Sequence, residues 1–329
     1  MIELSHLTKR YGEHLAVSDL SFTVDGGQIY GFLGPNGAGK STTMNIMTGC
    51  LSATEGSAHI DGYDIFEAPE QAKKLIGYLP EQPPLYMNET PEEYLRFVGE
   101  AKGLRGAELE RQMNEVISQT GIEEVAHRRV SALSKGYKQR VGIAQALLGN
   151  PKVIILDEPT VGLDPIQIVE IRDLIKELGQ THTVIFSSHI LSEVQAICDQ
   201  IIMIAKGKLV AFDTPENLEK RLLSHNEVVL TTDATADETR ALLGNIDHIT
   251  SLTLEAAEGG LVTARVKTDL SSAFDLSRRI FSVFAAGGGT LLELTVKKAN
   301  LEDIFLELAE EPEPPVVEAE PVEIEVTEE

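Results

Sequence analysis

Gly34-Pro35-Asn36-Gly37-Ala38-Gly39-Lys40-Ser41-Thr42 follows a short apolar run at 28–33 and leads into Met44, Ile46 and Met47, spaced for one face of a helix. The order is strand, glycine-rich turn, helix. Binding a triphosphate needs several donors aimed at one anion, and backbone N–H groups supply them only where side chains stay clear. Gly34, Gly37 and Gly39 meet that need, and Pro35, Asn36, Ala38 and Thr42 complete the candidate loop. A helix beginning near Gly39 adds the positive end of its dipole. Lys40 then reaches the outer phosphates, and the Ser41 hydroxyl is placed to ligate Mg²⁺. Alone, such a turn marks only a very large class of nucleotide-binding sheets.

Downstream, Ser134-Lys135-Gly136-Tyr137-Lys138-Gln139-Arg140 heads a second helical stretch. A Ser hydroxyl and the Gly136 N–H at a helix N-terminus form a second anion cradle. Val153-Ile154-Ile155-Leu156-Asp157-Glu158 is an apolar strand that delivers two carboxylates at its end, where an open sheet keeps its active site. Asp157 would hold Mg²⁺ through water, and Glu158 would polarise the attacking water. His189 ends the next strand, where an imidazole can contact the γ-phosphate and that water. Gln82, in Leu79-Pro80-Glu81-Gln82-Pro83-Pro84, sits where the sheet hands over to a helical insertion. Its amide can contact Mg²⁺ or water when nucleotide is bound and swing away when it is not. Tyr11, just before Gly12, is a candidate for stacking on a base. Each feature has a bland counterpart: a chance turn, a solvated strand end, a structural histidine, a proline-rich loop, a packing aromatic. Their shared order along one chain favours the catalytic reading.

At 329 residues the chain is long for one domain, and its 42% hydrophobic content is ample for packed cores. No stretch has the about 20 apolar residues that a membrane helix needs, and the start lacks the pattern of a signal peptide, so the expected compartment is the cytoplasm. Cys50 and Cys198 lie far apart with no metal-ligand spacing, which points to free thiols. Acidic residues outnumber basic ones 52 to 28, an excess that repels phosphate backbones and argues against nucleic acid as a partner.

Strand and helix patterns alternate from 153: strand 153–156, helix 167–178, strand 183–187, helix 191–198, strand 200–205. That predicts an α/β lobe with a mainly parallel sheet. Apolar periodicity at 94–101 and 109–117 predicts a helical insertion, bounded at about 88–150. From 222 the order becomes βαββαβ: strand 227–231, helix 236–243, a strand pair across Gly259-Gly260, helix 271–284 and strand 291–296. This is the pattern of a small ferredoxin-like domain over 222–309. Asn300 and Asp303 cap a last expected helix at 301–308. The segment 310–329 is nearly all Glu, Pro and Val and is expected to remain a disordered acidic tail.

Taken together, residues 1–221 resemble the ATP-binding subunit of ABC transporters. The resemblance implies a P-loop NTPase (RecA-like) core with a β subdomain, in which Tyr11 stacks on the base and 34–41 is the Walker A loop. It implies Gln82 as the Q-loop glutamine, Ser134 and Gly136 as signature contacts, Asp157 and Glu158 as Walker B and catalytic carboxylates, Asp164 as the D-loop residue and His189 as the switch histidine. It implies ATP and Mg²⁺ as ligands and a homodimer, or a heterodimer of the same type, with ATP at the interface. It further implies a membrane-spanning permease, with the chain peripheral on the inner face of the membrane. The common signature is Leu-Ser-Gly-Gly-Gln; here Lys135 and Tyr137 replace Gly and Gln. The C-terminal region, ending Leu301-Glu302-Asp303-Ile304-Phe305-Leu306-Glu307-Leu308, resembles the extension of bacterial drug, polysaccharide and gliding-motility exporter ATPases and so favours export. The alternatives are a soluble ABC ATPase acting on ribosomes or DNA and, for the C-terminal domain, a small-ligand sensor. One compact cassette and strong acidity speak against the first, and only fold analogy speaks for the second.

Overall fold

A computed structural model describes residues 1–222, 226–270 and 272–297. The helix expected at 301–308 and the tail from 310 lie outside the described residues. Two long antiparallel strands open the chain, β1 (Ile2–Tyr11) and β2 (His14–Val24), followed by β3 (Ile29–Leu33) and α1 (Lys40–Met47). Next come β4 (Glu55–Ile60), β5 (Tyr63–Asp64), α2 (Pro69–Lys74) and β6 (Ile76–Leu79). Strands β2-β1-β4-β5 make an antiparallel sheet. Sequence alternation marks only the ends of β1 and β2, because register shifts around Leu4, Leu7 and Lys9 break the two-residue period.

The insertion follows as α3 (Pro91–Ala101), α4 (Gly106–Thr120) and α5 (Lys135–Leu147). Thr90 and Glu93 close a capping box on α3, with the Glu93 N–H donating to Thr90 Oγ1 and the Thr90 N–H to Glu93 Oε2. The chain then returns through β7 (Val153–Leu156), α6 (Pro165–Gly179), β8 (Thr183–Ser188), α7 (Leu191–Ile197), β9 (Gln200–Ala205), β10 (Lys208–Asp213) and α8 (Pro215–Leu222).

The central sheet runs β10-β9-β3-β8-β7-β6, parallel throughout except for β10. Both of its faces are covered. Ile154, Leu156 and Phe186 pack with the helices, while Phe32, Ile155 and Ile185 pack toward the antiparallel sheet. Burial on both sides explains why β3 and β7 read as apolar runs and why β8 carries one at its centre, Val184 to Phe186. Strand β10 carries no such signal, being a half-buried edge strand, and neither it nor the polar helix α8 was expected.

A third sheet comprises β11 (Asn226–Thr232), β12 (Ile249–Ala256), β13 (Val262–Thr268) and β14 (Leu291–Lys297), with helices α9 (Ala236–Leu243) and α10 (Ala273–Gly287). Its order, β12-β13-β11-β14, is antiparallel at every pairing, as the βαββαβ reading requires of a ferredoxin-like domain. Val228, Leu230, Ala264 and Val266 share a core with Leu276, Ile280 and Phe284 of α10.

Candidate active site

The glycine-rich loop joins β3 to α1, so it sits at the carboxyl end of a central strand, as an open α/β sheet demands of its ligand site. Gly39 precedes α1 with φ 100°, and a Cβ there would lie 2.6 Å from the Ala16 carbonyl. Only glycine fits. A cavity of about 550 Å³ opens above the loop, lined by Tyr11, Pro35, Asn36, Gly37, Gly39, Lys40, Ser41, Thr42, Glu158 and His189 among others. Ala38 is buried below it. Tyr11 is half exposed at the mouth, with the Lys9 ammonium 5.3 Å from its ring centre.

Lys40 is buried, and its ammonium donates to the carbonyls of Gly34 at 2.7 Å and Pro35 at 3.3 Å. The same ammonium stands 3.2 Å from Glu158 Oε1, while His189 Nδ1 stands 2.9 Å from Glu158 Oε2. A candidate phosphate-binding lysine and a candidate catalytic histidine therefore meet on one carboxylate. Glu158 has φ 47°, in the left-handed region that a bulky residue enters at a cost of about 1–2 kcal/mol. Its N–H donates to Ser187 Oγ at 2.7 Å, and Ser187 donates in turn to Asp157 Oδ1 at 2.6 Å. Ser41 reaches the same Asp157 oxygen at 3.3 Å. A hydroxyl and a carboxylate oxygen side by side at a helix start are hard oxygen donors of the kind Mg²⁺ takes alongside phosphate. No cluster of three or more His, Cys, Asp or Glu suited to a metal is present among the described residues.

Ser134, Gly136 and Asp164 line a different cavity, of about 390 Å³, together with Tyr137, Arg140, Gln167 and Glu170. Ser134 is the N-cap of α5 and accepts the Tyr137 N–H at 3.3 Å. Asp164 caps α6, accepting from the N–H groups of Ile166 and Gln167. Gly136 is covered by the Gln167 side chain, whose Cδ would be 2.8 Å from an added Cβ. The Tyr137 hydroxyl, at the position that departs from the common signature, donates to Glu124.

Gln82 is exposed on the loop after β6 and is not among the residues lining either cavity; its neighbour Glu81 lines the first. The structure thus gathers Tyr11, the glycine loop, Asp157, Glu158 and His189 at one place, Ser134, Gly136 and Asp164 at another, and Gln82 at neither. Sequence reasoning misses Ser187, although its position directly before Ser188-His189 on a strand beside β7 is the available signal.

A family model described as "ABC transporter" matches residues 17–161. Over 312 residues the chain is 33% identical to the linearmycin resistance ATP-binding protein LnrL of Bacillus subtilis, covering 94% of this chain and 98% of that one. Over 310 residues it is 35% identical to the bacitracin transport ATP-binding protein BcrA of Bacillus licheniformis, covering 94% and 97%. A solved dimeric structure of the ATP-binding cassette MJ0796 in a post-hydrolysis state, bound to ADP and Pi, superposes with TM-score 0.59 at 28% identity, covering 65% of this chain and 98% of that one. With the glycine loop, the paired carboxylates and the histidine assembled around one cavity, the chain belongs to the ABC transporter family, as an ATP-binding subunit whose hydrolysis of ATP powers transport.

Proposed function

We propose that this chain is the energy-coupling subunit of an exporter, working as a dimer of cassettes beneath a separate membrane permease. The observation that carries the dimer is the split of phosphate-contacting groups between two cavities, Lys40 and Ser41 in one and Ser134 and Gly136 in the other. A C₂ pair arranged head to tail brings the second cradle of one chain to the γ-phosphate held by the first cradle of its partner, and ATP becomes part of the interface. The names of its relatives support export, since they speak of linearmycin resistance and bacitracin transport. The net charge of −24 disfavours the rival role on ribosomes or DNA.

In this reading Tyr11 stacks on the base, the 34–42 loop and Lys40 hold the phosphates, and Glu158 accepts a proton from the attacking water while His189 steers that carboxylate and meets the γ-phosphate. Ser41 and Asp157 would hold Mg²⁺, which would supply charge neutralisation for the phosphates. Gln82 swings from its exposed loop toward the metal when nucleotide binds, taking the helical insertion with it. Residues 1–221 form the ATP-binding domain, 222–309 a separate C-terminal domain, and 310–329 an acidic tail. Among the described residues no helix is long and apolar enough to cross a membrane. In this reading the transport path belongs to the permease, and the chain sits against its cytoplasmic face. Purification of a tagged copy from gently solubilised membranes tests this: a polytopic membrane protein should accompany it in stoichiometric amount. Recovery with ribosomes and no membrane protein would overturn the assignment.

A further inference from the structure

Glu193 lies in the first turn of α7 and is only 4% exposed, yet no Lys or Arg pairs with it among the described residues. Its Oε2 accepts two hydroxyl hydrogen bonds, from Thr160 Oγ1 at 2.8 Å and from Ser188 Oγ at 2.9 Å. Thr160 and Ser188 are buried as well. A carboxylate held in the interior by neutral donors is a poor source of stability, because desolvation offsets much of what the hydrogen bonds return. What it joins is more telling. Ser188 directly precedes His189, and its Oγ also accepts the Ile190 N–H at 3.0 Å, so it fixes the turn that carries the imidazole. Thr160 sits in the loop between Glu158 and Asp164, where the Val161 N–H donates to the Glu158 carbonyl and the Leu163 N–H to the Thr160 carbonyl, each at 3.2 Å.

We infer that Glu193 is a positioning residue that locks the His189 turn to the 158–164 loop, so that nucleotide contact at the first cavity is passed to Asp164 at the second. One oxygen takes both bonds, and displacement of either donor is felt by the other at a single atom. The bonds set where His189 stands relative to Glu158 on one side and where Asp164 stands at the signature cavity on the other. The inference rests on the two-cavity dimer proposed above.

Glu193→Ala, Glu193→Gln and Thr160→Val in the full chain test it through the dependence of ATPase rate on ATP concentration. Glu193→Ala should lower kcat by roughly 10²-fold, the scale of an ångström-size misplacement, with the KM for ATP changed less than about twofold, and should reduce the Hill coefficient toward 1. Glu193→Gln retains an accepting oxygen and should recover most of the rate. Thr160→Val, nearly isosteric and the safeguard if Glu193→Ala folds poorly, should reproduce the loss of cooperativity, and adding it to Glu193→Ala should cost little more. Folded variants with unchanged kcat and Hill coefficient, or effects that add, overturn the inference. A wild-type chain that neither dimerises with ATP nor hydrolyses it cooperatively removes the dimer reading instead; the kcat effect of Glu193→Ala then still decides whether Glu193 positions His189.

Discussion

Lys40 and Glu158 form a buried ion pair, Nζ to Oε1 at 3.2 Å, across the space where the glycine loop faces the end of β7. Each has other hydrogen-bond partners as well, Lys40 in two loop carbonyls and Glu158 in the His189 ring. The pair stores opposite charges at the point where a phosphate and an attacking water would meet them. In the proposed reading an arriving phosphate anion would compete for Lys40 and so loosen its hold on Glu158 at the moment that carboxylate is needed as a base.

Breaking a buried pair by deleting one partner costs about 3–5 kcal/mol in general, since the survivor is left uncompensated. Lys40→Ala should fall near the lower end, because His189 still faces Glu158. The double variant Lys40→Ala with Glu158→Ala should be less destabilised than the sum of the two singles. Urea unfolding of the four proteins measures this coupling directly.

Ser187 is expected to matter more than an uncharged strand residue ordinarily would. Ser187→Ala removes a hydrogen bond to the Asp157 carboxylate, worth about 1.5–3 kcal/mol, and leaves the Glu158 N–H without its partner in a left-handed backbone conformation. The midpoint of thermal unfolding should drop, and ATPase activity should fall well beyond the fraction unfolded. Circular dichroism and steady-state rates at one temperature separate the two effects.

Gly136→Ala places a methyl group 2.8 Å from the Gln167 Cδ. The clash lies in the signature cavity, so ATP-driven association should weaken while nucleotide affinity of the monomer is unchanged. Shortening the obstacle with Gln167→Ala should restore association. Equilibrium sedimentation in saturating nucleotide reads the outcome.

Glu108 supplies a pH-dependent check on the helical insertion. Hydrogen bonds from Arg111, then Gln112, hold its carboxyl down to about 2. A carboxylate depressed in the folded state contributes stability above its ordinary value of 4.5, and that contribution is lost as pH falls toward 2. Arg111→Ala should move the Glu108 titration upward in carboxyl-detected NMR and narrow the acid range over which α4 stays folded.

The parallel sheet and the phosphate loop were legible because burial on both faces writes itself as apolar runs, as at 153–156, and because a tight anion-binding turn needs glycines at fixed places. The C-terminal sheet was legible for a related reason: turn residues such as Gly259-Gly260 punctuate its alternating strands. Strand β10 was not, since an edge strand that is half buried along its length has neither a run nor an alternation to read. The residues gathered at the two candidate cavities were legible one by one, Gln82 lies at neither, and the web that joins them was not legible. That Ser187 and Glu193 tie Asp157, Glu158, Thr160 and the His189 turn together depends on strand adjacency and helix placement, which spacing along the chain does not express.

The central claim is that two copies of this chain close over shared ATP and that Glu158 triggers their release by hydrolysis. Size-exclusion chromatography of the Glu158→Gln variant with saturating Mg-ATP tests it most directly. The expected result is a stable dimer that retains bound ATP and turns over at a rate lowered by about 10²-fold or more, reverting to monomer when nucleotide is withdrawn. A variant that binds ATP yet elutes only as monomer at every nucleotide concentration would contradict the claim.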